Sequence, residues 1–103
     1  MLSKVKDAAV RKILFLPHAL RQMLRTARLI TAMEVRQVVE RGLIIEQYPN
    51  NPRGPSCRMI GYGLDRRPIH IVCASKDDFL AVITAYLPDA EVWSEDFRKR
   101  NKP

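Results

Sequence analysis

Two apolar stretches separated by a polar turn dominate the chain between Arg67 and Pro88. Ile69–Cys73 and Leu80–Tyr86 are rich in β-branched and apolar residues and are bounded by Pro, Ser and Asp, so they read as strands. Ser75, Lys76, Asp77 and Asp78 supply the turn between them. Antiparallel pairing that sets Ile71 opposite Ile83 also sets His70 opposite Thr84 and Val72 opposite Val82. One face then carries Ile69, Ile71, Cys73, Ala81, Ile83 and Ala85 and is expected to be core. The other carries His70, Val72, Val82, Thr84 and Tyr86. A one-residue slip would exchange the two sets, so burial of the apolar face is expected to fix the register.

The rest of the pattern places helices before strands. Val5, Ala8 and Ala9 follow helical spacing within Ser3–Lys12. Ile13–Leu16 is a brief apolar run, readable as a short edge strand stopped by Pro17. A helix over His18–Arg28 puts Leu20, Met23, Leu24 and Ala27 on one stripe and Arg21, Arg25 and Arg28 on another. Thr31-Ala32-Met33-Glu34 is a capping box opening a helix to Arg41, with Val35, Val38 and Val39 as its buried stripe. Gly42 is expected at a left-handed cap position. Leu43–Tyr48 and Ser56–Tyr62 read as strands around the breaker-rich loop Pro49–Pro55, and Gly63–Arg67 turns into the central hairpin. The tail Asp89–Arg100 is amphipathic, with Val92, Trp93 and Phe97 as docking anchors. The expectation is one α+β domain over residues 1–103, with N-terminal helices packed on a four-stranded antiparallel meander. Ile69, Ile71, Ile83, Val38, Val39, Leu20, Met23 and Leu24 are its expected core.

Charge adds a partner class. Of 18 Lys and Arg against 11 Asp and Glu, eight of the basic residues and only two of the acidic ones lie in residues 1–36. A basic excess of this kind favours polyanions, nucleic acid first, and equally suits an acidic protein or simple solvation of helix surfaces. No stretch approaches the ~18 continuous apolar residues of a membrane span, and the charged N-terminus does not read as a signal peptide, so no membrane association and a cytoplasmic location are expected. Cys57 and Cys73 form neither a disulfide framework nor a metal-ligand cluster, and are expected as reduced, partly buried thiols. No metal or other cofactor is called for.

The candidate chemistry rests on two histidines and the arginines. Metal-free RNA cleavage needs a base for the 2′-hydroxyl, a cation for the phosphorane and an acid for the 5′-oxygen. Histidine is the residue type that exchanges protons near neutral pH, and arginine binds two phosphate oxygens at once without losing its charge. His70, with Thr84 and Tyr86 on the same strand face, is the main candidate, with His18 at the rim. Arg21, Arg25 and Arg28 are candidate phosphate ligands. The alternatives are a half-buried His70 hydrogen-bonded to Thr84 or Tyr86, a His18 that caps its helix, and three arginines on a solvated face.

The succession PHALRQM, TAMEVRQVVERG, LIIEQYPNN, PSCRMIGY, RPIHIV, VITAYLPD and a closing W-x-x-x-F-R over residues 13–100 resembles a small bacterial domain-of-unknown-function family. Its members read H-A-x-x-R-M, E-V-x-x-x-I-x-x-G-x-I-I-x-x-Y-P, P-S-x-L, H-V-V and V-I-T-V-Y. That family in turn resembles RelE-like and barnase-like toxin endoribonucleases, and its genes often neighbour a zinc-finger and helix-turn-helix antitoxin. The resemblance implies a toxin-like, metal-independent endoribonuclease with RNA and an antitoxin as partners, and matches His18, His70, Thr84 and Tyr86 to motif positions. Gln22 stands where the family has arginine, with Arg21 one place earlier, and the segment Thr26–Thr31 is longer than the family's turn. The contrasting class is a non-catalytic basic interaction module that binds nucleic acid or an acidic protein.

Overall fold

The fold, taken from a computed structural model describing residues 1–25 and 29–101, is α+β. In chain order it comprises α1 (Leu2–Arg11), β1 (Ile13–Phe15), α2 (Pro17–Met23), α3 (Ala32–Arg41), β2 (Leu43–Tyr48), β3 (Ser56–Tyr62), a 3₁₀ turn at Leu64–Arg66, β4 (Pro68–Ser75) and β5 (Leu80–Tyr86). The strands form one sheet in the order β1-β5-β4-β3-β2. The expected meander β2 to β5 is antiparallel throughout. The expectation of four antiparallel strands is corrected by β1, which joins as a fifth strand parallel to β5, with Ile13 opposite Leu80 and Phe15 opposite Val82. Among the described residues no helix is long and apolar enough to cross a membrane.

Side-chain alternation sorts the sheet into two faces. Val5, Ala8 and Ala9 of α1 and Val35, Val38 and Val39 of α3 pack with Met59, Ile69, Ile71, Cys73 and Val82 in one core cluster. Burying such side chains contributes roughly 1.5–3 kcal/mol each. α3 starts as its sequence requires. Thr31 Oγ1 accepts from the Glu34 amide at 3.1 Å, and Glu34 Oε1 accepts from the Thr31 amide at 3.1 Å. Its end differs from expectation: Gly42 has φ −82°, outside the left-handed region. Glycine is needed there for space, because a Cβ would collide with the carbonyl oxygens of Val38 and Ile60.

Two packing expectations are also corrected. A bulge between Val72 and Cys73 shifts the β4–β5 register, so that Ile71 faces Ala85, Val72 faces Thr84 and His70 faces Tyr86, while Cys73 faces Val82. An added residue reverses the parity of the strand beyond it. Val82 and Leu80 therefore enter the helix-side core, and Ile83 is only half-buried. In α2 the buried residues are Ala19 and Met23, whereas Leu20 and Leu24 are exposed. This short helix packs against β5 through Met23, as expected, and through Ala19 in place of Leu20 and Leu24; Ala27 of the expected stripe lies outside the described residues.

Candidate functional site

The sheet face opposite α1 and α3 carries the polar side chains. Cross-strand pairing aligns Glu46 with Arg58, Arg58 with Val72, Val72 with Thr84, and His70 with Tyr86. The segment after β5 folds back over this face. Trp93 is buried there, its indole edge-on to His70 with ring centroids 4.5 Å apart. Phe97 sits at φ 60°, the left-handed region that favours glycine, and its carbonyl oxygen accepts a 2.8 Å hydrogen bond from His70 Nε2.

That bond fixes the histidine's role. Because a carbonyl only accepts, Nε2 carries the proton, and Nδ1 then accepts from the Tyr86 hydroxyl at 3.1 Å. Burial pulls the imidazole down to about 4, against the smaller opposing effect of the Phe97 carbonyl. His70 is thus fully buried, neutral near pH 7 and satisfied at both nitrogens. Its expected place in an open groove as an acid or base is corrected: it is the floor under Tyr86.

Above it a chain of polar groups runs across the strands. The Tyr86 hydroxyl accepts from Arg58 Nη1. Arg58 Nε donates to Glu46 Oε1 at 3.1 Å and to the Tyr48 hydroxyl at 3.2 Å. Arg100 donates from Nε to Glu46 Oε2 at 2.8 Å and stacks over Trp93 at 4.7 Å. Burial would raise the Glu46 carboxyl, but the hydrogen bond from Arg100, with Tyr48 and Arg58, holds it below its ordinary value. Burial pushes the Tyr86 phenol up, so it remains a protonated donor. A shallow open groove crosses this network, lined among others by His18, Gln22, Arg25, Arg58, Thr84 and Tyr86.

The sequence candidates separate accordingly. His18 and Arg25 are exposed and meet half-buried Thr84 and Tyr86 in the groove. Arg21 is exposed and does not line it. Arg28 lies outside the described residues. Sequence reasoning missed Arg58 and Arg100. Arg58 was readable from strand alternation, two residues from Ile60, which faces His70. Arg100 had no such signal, because it depends on the path of the tail. Among the described residues no three His, Cys, Asp or Glu side chains converge as a metal site.

Residues 15–87 match the family described as Domain of unknown function (DUF4258). The chain belongs to this family. No curated protein and no solved structure matches it. Within the DUF4258 match lie His18, Arg25, Arg58, His70, Thr84 and Tyr86. Outside it lie α1 and the covering segment with Trp93 and Arg100.

Proposed function

We propose that this protein is a toxin-like, metal-independent endoribonuclease, held in check by an antitoxin, and that RNA lies in the groove between α2 and the C-terminal half of β5. The observation that supports this reading is the meeting of an exposed imidazole, His18, with the Arg25 and Arg58 guanidinium groups and the Thr84 and Tyr86 hydroxyls along one open groove. Each group has a part in cleaving a phosphodiester. His18 takes the proton of the 2′-hydroxyl, which attacks the adjacent phosphorus. Arg25 and Arg58 bind the phosphate oxygens as charge builds on them. The departing 5′-oxygen takes its proton from water in the open groove, leaving a 2′,3′-cyclic phosphate, while the Tyr86 hydroxyl holds the Arg58 guanidinium in place. His70 is a positioning residue that holds Tyr86.

The test is incubation of purified protein with RNA in EDTA, with analysis of product ends. Cyclic-phosphate products that fall by ~10²–10⁴-fold in His18→Ala support the assignment, since acid–base groups contribute about that much. Wild-type protein that never cuts, while binding RNA in a salt-dependent way, identifies the non-catalytic interaction module instead.

A further inference from the structure

On the helix side of the sheet, away from the groove, Cys57 of β3 and Cys73 of β4 are directly opposite each other in the antiparallel ladder. Their sulfur atoms are 3.9 Å apart, and both residues are fully buried. Residues facing each other across an antiparallel pair bring their Cβ atoms to about 4.5–5.5 Å, close to the roughly 3.5–4.5 Å of a disulfide. Both cysteines also line the floor of a cleft of about 690 Å³, walled by residues including Val5, Arg11, Gln47 and Lys76. The pair thus combines a facing register and sulfur contact beneath a cleft, with both side chains closed off from water in the resting fold.

We propose that Cys57 and Cys73 form a reversible dithiol–disulfide site, oxidised by a small hydroperoxide that enters through this cleft. Either sulfur can attack first, since the two are in mutual contact and equally buried; the steps are the same with the roles exchanged. When Cys57 is first, its thiolate attacks the peroxide, the O–O bond breaks, and the departing oxygen leaves as alcohol or water after taking a proton. Cys57 is then a sulfenic acid. The Cys73 sulfur attacks it, an S–S bond forms, and the sulfenic oxygen leaves as water with the Cys73 proton. A thiol reductant reverses the change by exchange. Because neither sulfur is exposed, a bulky disulfide reagent is excluded from the folded protein.

The site is independent of any reaction in the groove, and its test does not read activity. The folded protein is treated with hydrogen peroxide, then denatured in N-ethylmaleimide and weighed intact. The expected product has lost two hydrogens, takes up no maleimide and yields one cross-linked peptide pair; reductant restores two maleimide-reactive thiols. Cys57→Ser and Cys73→Ser should each form no internal cross-link. The oxidised wild type should melt higher by about 5 °C or more, because closing the loop restricts the unfolded chain. Two thiols that stay alkylatable after peroxide, oxygen added without a cross-link, or disulfides only between molecules would each overturn the proposal.

Discussion

Glu34 shows what one side chain can hold together. It is 1% exposed, yet each carboxylate oxygen is occupied. Oε1 accepts from the Thr31 amide and from Arg67 Nη2 at 2.8 Å, and Oε2 accepts from the Leu64 amide at 2.9 Å and Arg67 Nε at 3.0 Å. Gly63 lies so close that any Cβ there would strike the carboxylate. Burial alone would raise this carboxyl, but the Arg67 fork and the two amides hold it at about 2. Removing one partner of a buried ion pair costs about 3–5 kcal/mol, and Glu34→Gln should lose roughly the lower figure in urea unfolding, since Arg67 is partly exposed. The pH dependence has a defined sign. A carboxyl lowered in the folded state contributes stability above its unfolded value near 4.5, lost as pH falls toward 2. His70 adds to the loss at acid pH by the opposite route. Its folded value of about 4 lies below the unfolded 6.5, so the unfolded chain binds the extra proton, and stability declines as pH falls from 6.5 to 4. His70→Phe should flatten the upper part of that decline, while Glu34→Gln should flatten the lower part. The capping box made the first function of Glu34 legible in sequence. Its bond to Arg67 was not, because it joins residues 33 positions apart.

At the level of elements, the bulge in β5 decides which substitutions matter. Ile71→Ala should cost about 2–5 kcal/mol, because Ile71 is fully buried among side chains that collapse only partly into the gap. Ile83→Ala should cost clearly less, as should Leu20→Ala compared with Met23→Ala, when the four are compared in one denaturant series. Strand existence and the antiparallel order β2 to β5 were readable from alternation and turn residues. The bulge was not, because Val82 and Ile83 are equally apolar and β-branched, so either suits the core. The shared face of His70, Thr84 and Tyr86 survives because all three lie on the same side of the bulge. What alternation cannot supply is the third layer. Val92, Trp93 and Phe97 were expected to dock; Trp93 does, Val92 is exposed, and the course of the covering segment over His70 depends on a turn that puts Phe97 in the left-handed region. Phe97→Gly should therefore leave the His70 contact intact, and Trp93→Ala should expose His70 and raise its protonation midpoint, measurable by proton NMR titration.

For the whole molecule, the charge pattern yields a prediction about binding. Polyanion affinity should fall steeply with salt as counterions are released. Arg25→Ala should weaken RNA binding more than Lys99→Ala, because Arg25 lines the groove and Lys99 does not. Equal losses in a filter-binding series would place the contact elsewhere. The parallel pairing of β1 with β5 has a different outcome, felt during synthesis. Ile13 meets Leu80 and Phe15 meets Val82, so a strand made near the start finds its partner only after almost the whole sheet has been made. Such distant pairings are slow to form because a long loop must close first. A nascent chain stalled before Leu80 therefore leaves β1 and one edge of β4 without the partner that β5 supplies. Such edges invite pairing with other chains, so until β5 is made this chain is open to contacts that the finished sheet excludes.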